Sequence, residues 1–294
     1  MFGCANTDGT TLDVSQREAL RQGPAVVVSA SHSVAYLVDR LARDLVEHRA
    51  VLPREASAST WAPDASVVLD LQTADRIVLN GGGLEAWVKT VSLPSDKRVN
   101  LAQGLRLIEE EGAVHSHGKG GEHSHHEIDP RVWTDPLAYR AQAVTLHTSL
   151  GTLPGIDQAT LDANLSALTK DLDALHEQMQ TATRDLKGLR LITAQPAFSY
   201  LTRQYGLNVS TLSMDPNKPA QDIRSFEEAT QHQAFSVLLW NDAPEASVRD
   251  TFSGNVRHVV LDDLSAPTAE GYDYMVQARF NAVALAEIIP DLAP

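Results

Sequence analysis

From Asp157 to Lys187 the chain runs without a glycine or a proline, and this stretch limits the fold more than any other. Leu161, Leu165, Leu168, Leu172, Leu175 and Met179 recur at alternating spacings of four and three, which lines one face of an α-helix with apolar side chains. Pro154-Gly155 before it and Gly188 after it are start and stop signals, and Asp157 is placed to cap the first turn. A continuous helix of this span would be a rod of roughly 46 Å. With no hinge residue inside it, such a rod between two folded units is a stiff connector. The competing expectation is a long helix packed within one domain.

The flanking sequence supplies the two units. Short apolar strands are expected at Ala25–Ala30, Arg76–Asn80 and Val99–Leu101, and again at Leu189–Ala194, Val209–Met214, Ser236–Trp240 and His258–Leu261. Helical stretches alternate with them at Val34–His48, Ala65–Thr73, Leu84–Thr90, Pro136–Leu150, Ala220–Gln231 and Tyr272–Ile289. The last of these reads as a buried amphipathic helix. Strand–helix alternation implies βαβ units and parallel sheets. The expected fold is therefore α/β, with two Rossmann-like lobes joined by one long rigid helix. The expected organisation is an N-terminal tether over 1–23, a first α/β lobe over 24–154, the connecting helix over 155–188 and a second lobe over 189–294. A length of 294 residues allows one or two domains.

Five of the eleven histidines fall between His115 and His126: His115, His117, His123, His125 and His126. Neutral imidazole suits zinc, copper and nickel, and short His-rich tracts are a compositional metal signal. Gly112, Gly118, Gly120 and Gly121 argue for a flexible loop over 112–127. A mobile loop of this kind would catch a cation weakly and pass it on. The bland alternative is a solvated polar loop. Lone histidines His32, His48, His147, His176, His232 and His258 show no ligand spacing and read as surface or satisfied core residues, although His32 follows the first strand and is placed to face a cleft.

Charge and composition narrow the function. Thirty-eight acidic against 24 basic residues give a net charge of −14, which disfavours nucleic acid and anionic membranes as partners. No apolar run approaches the ~20 residues needed to cross a bilayer. Gly81-Gly82-Gly83 lacks the context of a phosphate loop and reads as a tight turn. No GxSxG motif or other nucleophile–base spacing is present, so an enzyme is not expected. The one cysteine, Cys4, follows Phe2-Gly3 and precedes a polar stretch. An apolar and a small residue before cysteine resemble the end of a bacterial lipoprotein signal, with the polar stretch as tether. Cys4 is the expected lipidation site, and an ordinary free thiol is the alternative.

Several segments together resemble a known family. Pro63, Ala74-Asp75, Ile77-Val78-Leu79-Asn80-Gly81 and Leu84-Glu85-Ala86-Trp87 resemble the first lobe of the zinc- and manganese-binding proteins of bacterial ABC importers. The His-rich loop follows, as in the zinc-specific members. Asp129-Pro130-Arg131-Val132-Trp133-Thr134-Asp135-Pro136 resembles their DPHxWxDP. Leu191–Tyr200 with Tyr205-Gly206-Leu207 resembles xVTxHxAFxY…YGL, and Val260–Leu264 resembles the late strand that ends in aspartate. The resemblance implies an extracytoplasmic solute-binding protein that is periplasmic or on the cell surface, anchored as a lipoprotein. It implies zinc as the ligand, a membrane ABC permease as partner and a monomeric state.

At the family's ligand positions this chain departs from the pattern. Ser59, Arg131 and Gln195 stand where the resemblance implies histidine or glutamate, and only Asp262 keeps a metal-competent side chain, with Asp263 as its substitute if the register slips by one. Guanidinium has five donors, no acceptor and a permanent charge, so Arg131 does not ligate a cation. Two expectations follow for the cleft. In one, Arg131 pairs with Asp262 across the lobes, with Ser59, Gln195 and Asn241 supplying hydrogen bonds. In the other, the chain is a divergent paralogue that takes a small anion or a protein partner there. The paralogue is the alternative to the leading expectation, a metal-type solute-binding protein whose metal contact falls mainly to the His-rich loop, with Asp262.

Overall fold

In the first half, β1 (Val26–Ser29), α1 (His32–Ala42), β2 (Glu47–Ala50), α2 (Ala65–Thr73), β3 (Arg76–Leu79) and β4 (Arg98–Asn100) build a parallel sheet in the order β2-β1-β3-β4. The computed structural model describes residues 23–111, 115, 116, 122, 123, 126–212, 214, 219–230, 236–252, 256–267 and 272–289. The β1 side chains Val27 and Val28 are fully buried, as strands covered on both faces require. The chain was expected to stay helical to His48. It turns at Ala42 instead, where Leu45 N and Val46 N bond back to the Ala42 carbonyl, and Glu47 N then joins Ala25 O at 2.8 Å. The β2 sequence Glu-His-Arg-Ala lacks apolar alternation because it is a charged edge strand, a common protection against unwanted pairing.

The His-rich segment was expected to be irregular. Within 112–127 lie β6 (His115–Ser116) and β7 (Glu122–His123), paired antiparallel, and the start of β8 (His126–Asp129), which pairs antiparallel with β5 (Ile108–Glu111) just ahead of the segment. The register sets His115 opposite His123 and Glu111 opposite His126. At the base of the segment, Ile108 N donates to the Tyr200 hydroxyl at 3.1 Å. His117, His125 and His232 lie outside the described residues, as does Cys4 with the rest of 1–22.

α3 (Pro136–Leu150) leads into α4 (Gln158–Thr183), the long helix. Asp157 caps it, accepting from Ala159 N at 3.1 Å. It is shorter than the expected rod, roughly 39 Å, because its last turn tightens into a 3₁₀ segment at Arg184–Leu186. Leu161, Leu168, Leu172, Leu175 and Met179 are buried, and Leu165 is half-buried. This face packs on α1 and α3 and on the last helix of the chain, within one continuous apolar cluster that reaches both sheets. The helix is connector and packing spine at once.

The second half repeats the first. β9 (Arg190–Thr193), α5 (Ser199–Tyr205), β10 (Asn208–Thr211), α6 (Pro219–Thr230), β11 (Ser236–Trp240), α7 (Ala246–Arg249), β12 (Val256–Val260) and α8 (Tyr274–Ala286) give a parallel sheet in the order β10-β9-β11-β12. In both sheets the first strand lies inside, so the chain reverses direction beside it. Open α/β sheets bind ligands at such switch points, beyond the carboxyl ends of the strands. α8 departs from expectation, since only one of its two apolar faces is buried.

Candidate metal centre

Loops from the switch point of the first sheet meet loops of the second around a cavity of about 550 Å³. Ser31 and Leu84 line it from the first sheet, Asp129, Arg131 and Trp133 from the segment after β8, and Pro196 and Asp263 from the second sheet. Neutral hydrogen bonds hold the two sides together. Trp133 Nε1 donates to Asp263 O at 2.8 Å, Tyr274 Oη to Trp133 O at 2.6 Å, and Tyr200 Oη to Asp129 O at 2.7 Å. The rings of Tyr139 and Tyr274 pack at 4.6 Å behind them.

Arg131 points its guanidinium at Asp129, with Nε 2.7 Å from Oδ1, and its own backbone N donates to the same oxygen at 2.9 Å. The Asp129 carboxylate is fully buried, and its Oδ2 has no hydrogen-bond partner among the described residues. A buried carboxylate needs a compensating cation, and Arg131 supplies it from two residues away. The expected Arg131–Asp262 pair does not form. Asn281 clamps the Asp262 backbone, donating from Nδ2 to its carbonyl at 2.7 Å and accepting its N–H at 2.8 Å. The Asp262 side chain then closes an Asx turn onto Leu264 N at 2.7 Å, with Leu264 at φ +59°. Burial, with help from the charges of Asp263 and Asp242, holds its carboxyl above the ordinary range against the pull of the Leu264 N–H.

The other positions expected from the resemblance divide between sites. Ser59 lines the cavity, 2.9 Å from the hydroxyl of Ser57, and is exposed. Asp263 lines it too, one residue after the expected aspartate. Asn241 and Asp262 line a different cavity of about 480 Å³, and Gln195 is exposed and lines neither. Arg54 and Asp129 also face the interlobe cavity. Asp129 was legible as an Asp-Pro turn beginning two residues before Arg131, whereas Arg54 had no sequence signal. Among the described residues no three His, Cys, Asp or Glu side chains come together as a metal cage.

The cavity floor rests on a buried polar frame. Glu85, 6% exposed, accepts from Asn80 N at 2.8 Å and Gly81 N at 3.2 Å. Asn80 Nδ2 donates to Pro130 O at 2.8 Å, and Gln142 Nε2 to Asn80 Oδ1 at 3.0 Å. Gly81 has φ +82°, and a Cβ there would stand 1.8 Å from Asn100 Oδ1, so the turn requires glycine. Burial pushes the Glu85 carboxyl up to about 7 from 4.5, although the backbone donors pull it down. A carboxyl raised in the folded state favours folding when neutral, so stability falls as pH rises from about 4.5 through about 7. The loss is on the order of 3 kcal/mol. Glu85→Gln is expected to flatten this dependence in urea unfolding at pH 5 and pH 8. A variant with the wild-type slope would remove Glu85 as its cause.

Most of the lone histidines are satisfied in place. His147 Nε2 lies 2.7 Å from Asp162 Oδ1, His176 Nδ1 3.1 Å from the Tyr205 hydroxyl, and Trp240 Nε1 donates to His258 Nδ1 at 3.1 Å. His32 sits against the backbone of Pro53 and Arg54, and burial lowers its pKa. It does not line the interlobe cavity. His48 is in a chain that sequence spacing did not reveal. Ser29 Oγ lies 2.9 Å from its Nε2, and Asp39 Oδ1 lies 2.8 Å from its Nδ1. The connectivity is that of a serine nucleophile, its base and an orienting carboxylate. Ser29, however, is 1% exposed between two neighbouring strands, so no substrate carbonyl reaches its hydroxyl. The chain of bonds ties the β2 edge to α1.

The family described as the periplasmic component A of zinc-uptake complexes (ZnuA) matches residues 26–288. The zinc-binding lipoprotein AdcA of Streptococcus pneumoniae is 25% identical over 95% of this chain and 58% of its own length. The high-affinity zinc uptake system protein ZnuA of Bacillus subtilis is 22% identical over 84% of this chain and 81% of its own. This chain thus spans little more than half the length of its AdcA relatives. The metal-dependent lipoprotein YcdH of B. subtilis shares the fold at TM-score 0.77 and 19% identity, over 90% of this chain and 98% of that one. The Zn(II)-bound ZnuA-like domain of S. pneumoniae AdcA does so at TM-score 0.75 and 21% identity, with the same coverage. With all but the outermost residues matched and both sheets, the long helix and the facing loops in place, the chain belongs to the ZnuA family.

Proposed function

We propose that this chain is the extracytoplasmic solute-binding component of a zinc ABC importer, handing its cargo to a permease in the membrane. Its relatives are named as zinc-binding and zinc-uptake proteins, which favours this reading over a paralogue that takes an anion in the cleft. Zinc capture falls to the tract that carries His115, His117, His123, His125 and His126. The observation that carries this is a contrast. Arg131 sits in the cleft on Asp129, and no cage of three ligands occurs among the described residues, while five imidazoles crowd one twelve-residue tract. Imidazole nitrogen is a good zinc ligand, whereas serine hydroxyl and glutamine amide are poor ones beside it. Calorimetric titration of the intact chain with zinc tests the proposal, and absence of any saturable binding overturns it.

The same reading places the chain outside the cytoplasmic membrane, anchored through Cys4, as the lipoprotein names of relatives suggest. No helix among the described residues is long and apolar enough to cross a membrane, and a lipid anchor would hold the chain at the membrane surface without one. Cys4→Ala is expected to move the chain from the membrane fraction to the soluble fraction. Unchanged fractionation would rule out the anchor.

A further inference from the structure

α8 is apolar on two opposite faces. Tyr274, Met275, Ala278, Ala282 and Leu285 are buried against α4 and the second sheet. Val276, Phe280 and Val283, spaced four and three, are 45%, 61% and 52% exposed. Val260, at the end of the edge strand β12, is 44% exposed beside them. A helix that is apolar all round is normally covered all round, and a contiguous apolar patch on a soluble protein marks an interaction site.

Two cavities flank this ridge. One, of about 990 Å³, lies between α4 and α8, with Glu177, Asp185 and Arg279 among its lining. The other, of about 480 Å³, lies between α8 and the ends of β11 and β12, with Asp242, Asp262 and Glu287 in its lining and Val260, Phe280 and Val283 as its apolar wall. Arg279 is the one cation among the described residues that line them. An apolar ridge between two acidic rims is complementary to an apolar stripe flanked by lysine or arginine. A second copy of this chain is a poor occupant, since the chain carries a net charge of −14 and pairing through this face would set the acidic rims together.

We infer that the exposed face of α8 docks a partner protein through a basic amphipathic helix, which lays leucine-like side chains across Val276, Phe280 and Val283. This is helix-in-groove recognition, and it does not depend on zinc or on the interlobe cavity.

The test uses the full chain and a four-turn Leu/Lys amphipathic peptide as probe. A peptide of the same composition in scrambled order and a Leu/Glu amphipathic peptide serve as comparisons. The expected result is saturable binding of the patterned Leu/Lys peptide alone, weakened by salt. Phe280→Asp should lower the affinity about tenfold or more. The new carboxylate would otherwise attract the probe, so such a loss reports apolar contact. Val283→Ser should lower it in the same direction. Leu69→Ser, at a residue 61% exposed on α2, should leave it unchanged. Equal binding by wild type and Phe280→Asp overturns the inference. So does a dimer in sedimentation equilibrium that Phe280→Asp dissolves, which would make a second copy the occupant. Binding to phosphatidylcholine vesicles that Phe280→Asp abolishes would overturn it as well, in favour of a lipid surface.

Discussion

Deleting residues 115–126 is expected to lower zinc affinity by on the order of a hundredfold or more, about 3 kcal/mol. Replacing His115, His117, His123, His125 and His126 by alanine should do the same while leaving the chain length intact. The argument is one of ligand supply. Zinc prefers four ligands of nitrogen or sulfur, with carboxylate as the common substitute. The interlobe cavity offers Asp129, already held by Arg131, the carboxylates of Glu55 and Asp263, and serine hydroxyls such as those of Ser57 and Ser59, and among the described residues no three of its carboxylates converge as a metal cage. Zinc must also compete with protons for imidazole, so the affinity of the intact chain should fall as pH is lowered. Arg131→His is the reciprocal arm. It removes the cation but leaves Asp129 Oδ2 buried and adds a single imidazole, so it should raise cleft affinity by less than about tenfold. Full zinc affinity in the deletion variant, or a large gain from Arg131→His, would place the metal site between the lobes.

The long helix sets the second expectation. Leu172→Ala should destabilise the chain by about 3 kcal/mol and lower Tm by roughly 5–10 °C. Leu172 is fully buried in the apolar cluster that joins α4 to both sheets, so its removal leaves a cavity that neither lobe can collapse alone. Leu165→Ala, on the same helix but half-buried, should cost about 1 kcal/mol. Urea unfolding of the two variants measures the difference. Equal losses would mean that the helix is a free-standing rod and not a packed spine.

Much of the architecture was legible because its signals are local. The β11 run Ser236–Trp240 and the helices Ala65–Thr73 and Pro136–Leu150 fall where patterning puts them, since continuous apolar runs and well-marked caps leave few alternatives. The three glycines after β3 turn as expected, all with positive φ. β2 was not legible, because an edge strand buries too little to need apolar alternation. The hairpin pairing under the His-rich tract was not legible either, because glycine-rich composition argues against strands until a partner strand supplies the hydrogen bonds. α8 misled in the opposite sense. Its apolar content reads as burial, yet periodicity alone does not say which of two apolar faces meets the core.

The site divides along the same line. Residue chemistry alone disqualified Arg131 as a metal ligand, because no fold can give guanidinium a lone pair to donate. It also singled out the five clustered imidazoles, whose nearness in sequence limits how far apart they can stand. Only the tertiary structure decided that Arg131 answers Asp129, that Asp262 turns away under the clamp of Asn281, and that Asp263 faces the cavity in its place. Those outcomes depend on which way a side chain leaves a strand end, and one residue of register is enough to reverse it.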